Sequence, residues 1–223
     1  MTEIILVRHG QSANNAQAEH LRVPDPGLTQ IGLQQAAALA TRFDGQHITH
    51  LYCSPFLRSL ETMRPLADAK QLPVRVRGDL FELGGCYSGH EEGKQRGEPG
   101  MGRSQLLAGY PYWEIDELIT DNGWWGRGYE TLEQGSLRAS RVERWLATEL
   151  AAIPGRHILV IHADFKRLLL EAMQSETQLA DRDVDLAEVP LYNTGVTQCG
   201  YSSNGWHIGD FNCTRHLPNE IIT

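Results

Sequence analysis

A length of 223 residues, with 41% hydrophobic and 22% charged residues, is typical of a globular chain and sufficient for one large α/β domain or two small ones. A formal net charge of −8 argues against nucleic acid or an anionic membrane surface as a partner, and no apolar run approaches the length of a membrane span. The four cysteines form no C-x-x-C pair and the N-terminal apolar run is too short for a signal peptide, which together predict a cytoplasmic protein with reduced thiols.

Short β-branched runs and longer Ala/Leu-rich segments alternate along the chain, and they predict strands and helices respectively. In chain order we predict a strand at 4–7, a helix at 28–43, a strand at 47–54, a helix at 55–69, a short strand at 72–80, a helix at 130–153, a strand at 156–164, a helix at 165–173 and a hairpin at 193–211. Thr29 is the expected N-cap of the first helix, and Pro65 is expected to end or kink the second. The hairpin turn is expected to contain Asn204-Gly205.

This alternation predicts parallel strand pairing with helices on both faces of the sheet. We therefore expect a three-layer α/β/α sandwich with a mostly parallel central sheet, built as a single domain over 1–223. The segment 84–128, rich in Gly, Trp, Tyr and charge, is predicted to be a mixed helix and loop insertion that forms a cap or lid over a site. Within it, an ordered cover and a disordered surface loop are equally supported for 88–104.

Chemically able residues follow several of the predicted strands at the point where each strand ends. Arg8-His9-Gly10 follows the first strand, Ser54 leads to Arg58 after the second, and His162 ends the fourth. Glu82 comes just after the third strand. In a parallel sheet, ligands gather at the carboxyl ends of the strands. Two arginines can hold the oxygens of a phosphoryl group while a neutral imidazole between them attacks phosphorus, and a carboxylic acid can protonate the leaving oxygen.

These residues lie in motifs that resemble the histidine phosphatase superfamily, also called the phosphoglycerate mutase-like family. The family's R-H-G motif is matched by "LVRHGQSANN", and its D-x-x-L-T-x-x-G-x-x-Q-A stretch by "DPGLTQIGLQQA" at 25–36. Its S-P-x-x-R-x-x-x-T motif is matched by "SPFLRSLET" at 54–62, and its acid by "LFELGGCYSG". "VIHADFKRLLL" and "YNTGVTQCGY" resemble the regions of the second histidine and of the closing strand. The match runs from residue 3 to about residue 200, outside the insertion.

The resemblance implies a role for each matching residue. His9 is the phosphate acceptor, Glu82 is the proton donor, and the phosphate pocket comprises Arg8, Arg58, His162 and Asn15. Glu61, Glu91 and Glu92 are alternatives to Glu82, and Asn14 is the alternative to Asn15. No metal or other cofactor is implied, because arginines do the work that Mg²⁺ does in other phosphoryl-transfer enzymes.

Four further positions carry expectations about substrate binding and about a departure from the family pattern. Gly10 is expected to let the backbone approach the phosphate, and Ala163 to offer it a backbone N–H. Asp164 stands where the family commonly has Gly or Asn, and we expect it to cap the following helix. Arg127 is expected to contact a distal anionic group, with one of Trp124 and Trp125 facing the substrate.

The leading functional hypothesis is a phosphatase that hydrolyses a small phosphorylated metabolite through a phosphohistidine, and the oligomeric state is left open. The alternative is a phosphoglycerate mutase, which must hold a second anionic arm with neighbouring basic residues in the insertion. Here the basic residues of that region are dispersed, at Lys94, Arg96, Arg103 and Arg127. A third hypothesis is a binding module without catalysis, although such a protein needs neither a nucleophile nor an acid.

Overall fold

A seven-stranded sheet forms the centre of the fold in the computed structural model, which describes residues 2–89, 91, 93–175, 186 and 189–223. Its strands are β1 (Thr2–Arg8), β2 (His50–Cys53), β3 (Val74–Val76), β6 (Glu114–Ile115), β7 (Gly155–Ile161), β8 (Val196–Ser202) and β9 (Gly205–Ile208), while β4 (Tyr87–Ser88) and β5 (Arg96–Gly97) form a separate hairpin. The strand order is β6-β3-β2-β7-β1-β8-β9. The five strands β6, β3, β2, β7 and β1 are mutually parallel. At the other edge β8 pairs antiparallel with β1, and β9 pairs antiparallel with β8.

Helices cover both faces of this sheet, which confirms the predicted α/β class. The α-helices are α1 (Ala13–Ala16), α2 (Gln30–Arg42), α3 (Leu57–Lys70), α4 (Arg103–Gly109), α5 (Leu132–Trp145) and α6 (Ala163–Ser175). Side chains of β1 alternate between the two layers: Ile5 and Val7 belong to the core shared with α2 and α3. Ile4 and Leu6 belong to the core shared with α5 and α6. The period of two along a strand therefore builds two cores from one apolar run. No helix in the described part of the chain is long and apolar enough to cross a membrane.

Two helices differ in detail from the sequence prediction. Pro65 is expected to end or kink helix α3. The helix continues through Pro65 to Lys70, so the prediction that it ends there is wrong. The buried face of α3, which includes Leu60, Met63 and Leu66, continues on both sides of the proline, and its packing outweighs the lost backbone bond. Helix α5 is shorter than predicted and continues as a π-helical turn over Leu146–Leu150. Thr29 is confirmed as the N-cap of α2, because its side chain accepts a bond from Gly32.

The insertion at 84–128 contains the β4–β5 hairpin, α4 and β6 in the part that the structure describes. Strand β6 pairs in parallel with β3, so this end of the insertion extends the central sheet. Regular elements also lie within 88–104 in the described part of the chain. Glu92, one of the alternatives to Glu82, falls outside the described residues. The cap or lid remains a proposal, supported by the contribution of this segment to the cavity described below.

Candidate active site

His9 lies directly after β1, at the sheet edge where the parallel strands end. Its side chain is 3% exposed, and its Nδ1 lies 2.7 Å from the carbonyl oxygen of Gly10. Because a carbonyl can only accept a hydrogen bond, Nδ1 carries the proton and Nε2 carries the lone pair. The Nε of Arg58 donates to this Nε2 at 3.2 Å. The ring therefore presents the nucleophilic nitrogen next to a guanidinium.

Burial, followed by the charges of Arg58 and Arg8, lowers the pKa of His9 well below its usual value. Desolvation and neighbouring cations both disfavour an imidazolium, so the neutral ring persists into mildly acidic solution. A neutral imidazole with a fixed tautomer and a bordering pair of arginines has the properties of a nucleophile for an anionic phosphoryl group.

Arg58 is held at the start of α3 by contacts on several sides. Its guanidinium stacks 3.8 Å from the centre of the Phe56 ring. Asp25, whose Oδ1 accepts a bond from the Leu57 N–H at 2.8 Å, fixes the first turn of the same helix. Burial raises the pKa of Asp25 to about 6, although the charge of Arg58 acts in the opposite direction. Arg8, on β1, donates through Nη1 to the carbonyl of Leu191.

Gly10 serves the backbone rather than the cavity in this structure. Its N–H donates to Thr62 Oγ1 at 2.9 Å, and its carbonyl accepts from His9. A Cβ at this position would lie 2.8 Å from the carbonyl oxygen of Gly32 in α2. The close approach that Gly10 permits in this structure is thus to a helix, and its approach to a phosphate stays a prediction.

Asn15 lies in α1 and reaches the cavity beside Arg8 and His9. Its Oδ1 accepts bonds from the backbone N–H and the hydroxyl of Ser12, both at 3.0 Å. Since Oδ1 is used in this way, the Nδ2 donors are the groups that Asn15 can offer to an anion. Asn14, the alternative, also lines the cavity, but its amide binds the backbone of Val23.

Glu82 lies between the carboxyl end of the sheet and the N-terminus of α6. Its Oε1 accepts bonds at 2.9 Å from the backbone N–H groups of Leu83 and Phe165. Burial, and next the charge of Asp164, raise the pKa of Glu82 above its usual value, while the bond from Phe165 and the charge of Arg58 act against this. A carboxyl group that retains its proton more readily than usual is suited to general acid catalysis.

This position of Glu82 changes the interpretation of its neighbours in α6. The backbone N–H groups of Asp164 and Phe165 point to Glu82, at 3.4 and 2.9 Å, so Glu82 satisfies the helix start that Asp164 was expected to cap. Asp164 is an exposed first-turn residue that lines the cavity. Ala163 also lines the cavity.

His162 is fully buried behind His9, with 5.0 Å between the ring centroids. Its Nε2 lies 2.8 Å from the hydroxyl of Ser54 and 3.3 Å from that of Ser59. Its Nδ1 is buried and has no hydrogen-bond partner in the described part of the chain. Burial, followed by the charge of Arg58, lowers the pKa of His162 well below its usual value.

The cavity in front of these residues has a volume of about 250 Å³, just below the range of about 300–1,000 Å³ that is typical of small-molecule pockets. Of the residues predicted from the sequence, the structure brings six to its wall, namely Arg8, His9, Asn15, Arg58, Glu82 and Ala163. The wall also contains Tyr129, which belongs to the same aromatic stretch as Trp124 and Trp125, and residues that the sequence did not single out, namely Ser12, Arg22, Pro24, Phe56 and Tyr87.

Arg127 is not brought to this wall. Its guanidinium lies 4.3 Å from the Trp125 ring centre, on the exterior of the insertion. Trp125 packs against the bare backbone of Gly85, and Trp124 is buried against Phe56. Arg127, Trp124 and Trp125 are therefore absent from the lining residues that the structure describes, and a contact of Arg127 or of one tryptophan with the substrate stays a prediction.

A buried ion pair that sequence reasoning missed lies behind Glu82. Arg138 is 2% exposed and binds Glu130 through two bonds of 2.9 and 2.6 Å. It also donates to the carbonyl oxygens of Asp79 and Phe81, both at 3.0 Å, and so fixes the segment that leads into Glu82. The available signal was a cation on the apolar face of an amphipathic helix.

Substitution of Arg138 by methionine is expected to destabilise the fold by about 3–5 kcal/mol, because Glu130 is then left buried and unpaired. The double variant Arg138→Met/Glu130→Met removes both charges and is expected to recover much of this loss. Urea denaturation of the two single variants, the double variant and the wild type measures the coupling. A double variant as unstable as the sum of the two single ones would contradict the pairing.

Comparison with known proteins gives a consistent result across the chain. A family model described as histidine phosphatase superfamily (branch 1) matches residues 4–214. The probable phosphoglycerate mutase GpmB of Yersinia enterocolitica is 27% identical over 223 residues, which cover 100% of this chain and 98% of that protein.

Solved structures extend the comparison to the fold. A phosphoserine phosphatase mutant from Entamoeba histolytica in complex with phosphoserine aligns with a TM-score of 0.64 at 19% identity, over 98% of this chain and 100% of that one. A mycobacterial glucosyl-3-phosphoglycerate phosphatase aligns with a TM-score of 0.63 at 21% identity, over 95% of this chain and 99% of that one. At such identities the likeness concerns the fold.

Proposed function

Because the chain belongs to the histidine phosphatase superfamily, branch 1, we propose that it hydrolyses phosphomonoesters of small metabolites through a covalent phosphohistidine on His9. The observation that carries the proposal is the state of His9 itself. The bond from Nδ1 to the Gly10 carbonyl fixes the tautomer, so the lone pair is on Nε2. This Nε2 lies beside Arg58, in the same cavity as Glu82. A nucleophile and an acid facing one anion pocket are what the two halves of such a reaction require.

In the first half-reaction, Arg8, Arg58 and the Nδ2 group of Asn15 hold the phosphoryl oxygens. The Nε2 of His9 releases the hydrogen bond from Arg58 Nε and forms a bond to phosphorus as the bond from phosphorus to the ester oxygen breaks. Glu82 gives its proton to that oxygen, and the alcohol leaves. We assign His162 to the same pocket on two observations, its 5.0 Å distance from the His9 ring and its buried, unpartnered Nδ1 among the described residues.

In the second half-reaction, water attacks the phosphohistidine. The Glu82 carboxylate takes a proton from this water, the bond from phosphorus to Nε2 breaks, and inorganic phosphate leaves. His9 and the protonated Glu82 are thereby restored. The arginines neutralise the charge of the phosphoryl group throughout, so each step is written without a metal ion.

Hydrolysis is proposed over mutase activity because of where the basic residues lie. The cationic side chains among the described lining residues are Arg8, Arg58 and Arg22, and none of them belongs to the insertion. The structural neighbours named above are phosphatases, whereas the relative from Yersinia is described as a probable mutase. The mutase therefore remains the second candidate.

Two assays separate the candidates. We expect hydrolysis of p-nitrophenyl phosphate and release of inorganic phosphate from phosphomonoesters. Rapid isomerisation of 3-phosphoglycerate in the presence of 2,3-bisphosphoglycerate, with little phosphate release, would favour the mutase. Inactivity in both assays, together with retained binding of phosphate esters, would favour the binding module.

A further inference from the structure

The outer part of the cavity contains a cation for which the phosphoryl chemistry has no use. Arg22 lines the cavity but lies in an exposed position, whereas Arg8 and Arg58 flank His9 in the interior. With those two arginines occupied by the phosphoryl group, Arg22 is the remaining cationic side chain among the described lining residues. The alcohol part of a phosphomonoester held on His9 must pass this outer region.

The backbone on both sides of Arg22 is fixed by side chains of the segment that carries Asn15. The amide of Asn14 donates to the carbonyl of Val23 at 2.7 Å and accepts from its N–H at 3.0 Å. The amide of Gln17 donates to the carbonyl of Leu21 at 2.8 Å. Arg22 therefore stands between two anchored residues, so part of the entropy of ordering it is already spent before a ligand binds.

The guanidinium of Arg22 itself is only weakly engaged. Its partner is Glu19, at 3.5 Å, and the two side chains are 39% and 67% exposed. Exposed ion pairs of this kind contribute little, because water and salt screen them. A carboxylate on a ligand that is partly shielded from water can therefore replace Glu19 at small cost.

Two tyrosines form a wall of the same outer region. The rings of Tyr87 and Tyr129 meet edge to face with 5.0 Å between centroids, and both line the cavity. They pack over Gly84, where a Cβ would lie 2.6 Å from Tyr129 and 2.9 Å from Tyr87. Gly84 also has a φ of +92°, a backbone conformation that favours glycine. This position therefore requires a glycine both for its conformation and for its lack of a side chain.

Besides Glu19, the mouth has a negative charge on Asp164, which lines the cavity and acts on Glu82 and on Tyr129. An anionic group on the substrate is repelled from that part of the wall and attracted to Arg22. The planar fork of arginine matches a carboxylate through two parallel bonds. The charges thus favour one orientation of an acidic alcohol.

We propose that Arg22 determines specificity by binding a carboxylate on the alcohol part of the substrate, which makes the preferred substrate class phosphorylated hydroxy acids. This inference rests on the proposed function. It places the second anion contact in the segment after α1, and not at Arg127 in the insertion.

A matched pair of substrates tests the proposal. In 3-phosphoglycerate a carboxylate stands where glycerol 3-phosphate has a hydroxymethyl group. The variant Arg22→Gln is expected to lower kcat/KM for 3-phosphoglycerate about 10- to 100-fold and to leave that for glycerol 3-phosphate within about 3-fold. Arg22→Lys keeps the charge without the fork and is expected to fall between the wild type and Arg22→Gln.

Arg144→Gln is the matched control, because it removes the same charge from an exposed position near the far end of α5. It is expected to leave the ratio of kcat/KM for 3-phosphoglycerate to kcat/KM for glycerol 3-phosphate unchanged. If Arg22→Gln lowers kcat/KM equally for the two substrates, or leaves both values unchanged, the proposal is overturned.

A binding experiment separates this proposal from the catalytic one. The affinities of both esters are measured by calorimetry in the His9→Ala background, with and without Arg22→Gln. A loss of about 10-fold or more for 3-phosphoglycerate alone supports the Arg22 site even if the wild type proves not to be a phosphatase. Equal affinities for the two esters before the Arg22 substitution, or no detectable binding of either, would overturn the Arg22 site.

Discussion

Replacement of His9 by alanine is expected to lower the hydrolysis of every phosphomonoester by at least about 10⁴-fold, because the covalent route then has no nucleophile. His9 is 3% exposed and packs against His162, but the substitution keeps the side chains of Arg8, Arg58 and Asn15 and removes only the bond from Arg58 to Nε2. Binding of phosphate and of phosphate esters is therefore expected to persist. Steady-state kinetics and calorimetry on the same preparation measure the two properties separately.

The control for this variant is His47→Ala, which removes an exposed histidine remote from the described cavity wall. It is expected to retain wild-type activity. Turnover by His9→Ala within about 10-fold of the wild type would rule out His9 as the phosphate acceptor. Loss of ester binding together with activity would indicate that the substitution disrupts the pocket, and a melting curve would decide this.

Replacement of Glu82 by glutamine is expected to affect substrates according to their leaving groups. Alkyl phosphates release a basic alkoxide that needs a proton, so their kcat/KM is expected to fall by about 10² to 10⁴. Aryl phosphates with acidic phenols need little help, and their kcat/KM is expected to fall by less than about 10-fold. Glutamine keeps the shape of the side chain and can still accept the bonds from Leu83 and Phe165.

The pH dependence of kcat/KM gives an independent check on the same residue. The proposed mechanism requires a protonated Glu82 in the first half-reaction, and the pKa of Glu82 is raised, so activity is expected to decline as pH increases through that raised value. His9 must be neutral, and its lowered pKa extends activity into acid. The alkaline decline is expected to vanish in Glu82→Gln.

Glu91→Gln is the matched control for Glu82→Gln, because Glu91 was an alternative acid and forms an exposed ion pair with Lys94. It is expected to leave both the leaving-group dependence and the pH profile unchanged. An equal loss for alkyl and aryl phosphates in Glu82→Gln, with the alkaline decline retained, would contradict the acid role of Glu82.

The sequence was sufficient to predict most of the sheet, apart from the short strand β6 inside the insertion, and to place several polar residues at one edge of it. Residues at the carboxyl ends of parallel strands meet at one edge whatever the loops do, and for this reason Arg8, His9 and His162 could be placed together. Arg58 and Glu82 follow strands of the same sheet and fall at the same edge. Burial on both faces also made β1 and β7 easy to recognise.

The outer part of the site was not predictable in the same way, because it depends on how irregular segments fold. Arg22 and Arg127 are both exposed arginines outside the regular strands and helices, and nothing local distinguishes them. Side-chain bonds from Asn14 and Gln17 bring the first to the cavity, whereas stacking on Trp125 keeps the second away. The pairing of such residues cannot be predicted from the periodicity of the sequence.

The contact between Gly10 and α2 was not predictable for a related reason. A glycine beside a phosphate pocket suggests close approach to the ligand, but the atom that approaches is the carbonyl of Gly32, in a helix packed behind the loop. The same loop places the Gly10 carbonyl on His9 Nδ1 and so fixes the tautomer. The sequence gives the residue but not the partner, since the partner is a backbone atom.

The most direct test of a phosphohistidine on His9 uses Glu82→Gln with p-nitrophenyl phosphate. Transfer to His9 needs little acid help with this leaving group, whereas hydrolysis of the intermediate lacks its base, so the phosphoenzyme is expected to accumulate. The expected result is a burst of p-nitrophenol equal to the concentration of enzyme, with an acid-labile phosphoryl group on the peptide that contains His9. No burst, or a phosphoryl group on any other residue, would contradict the account.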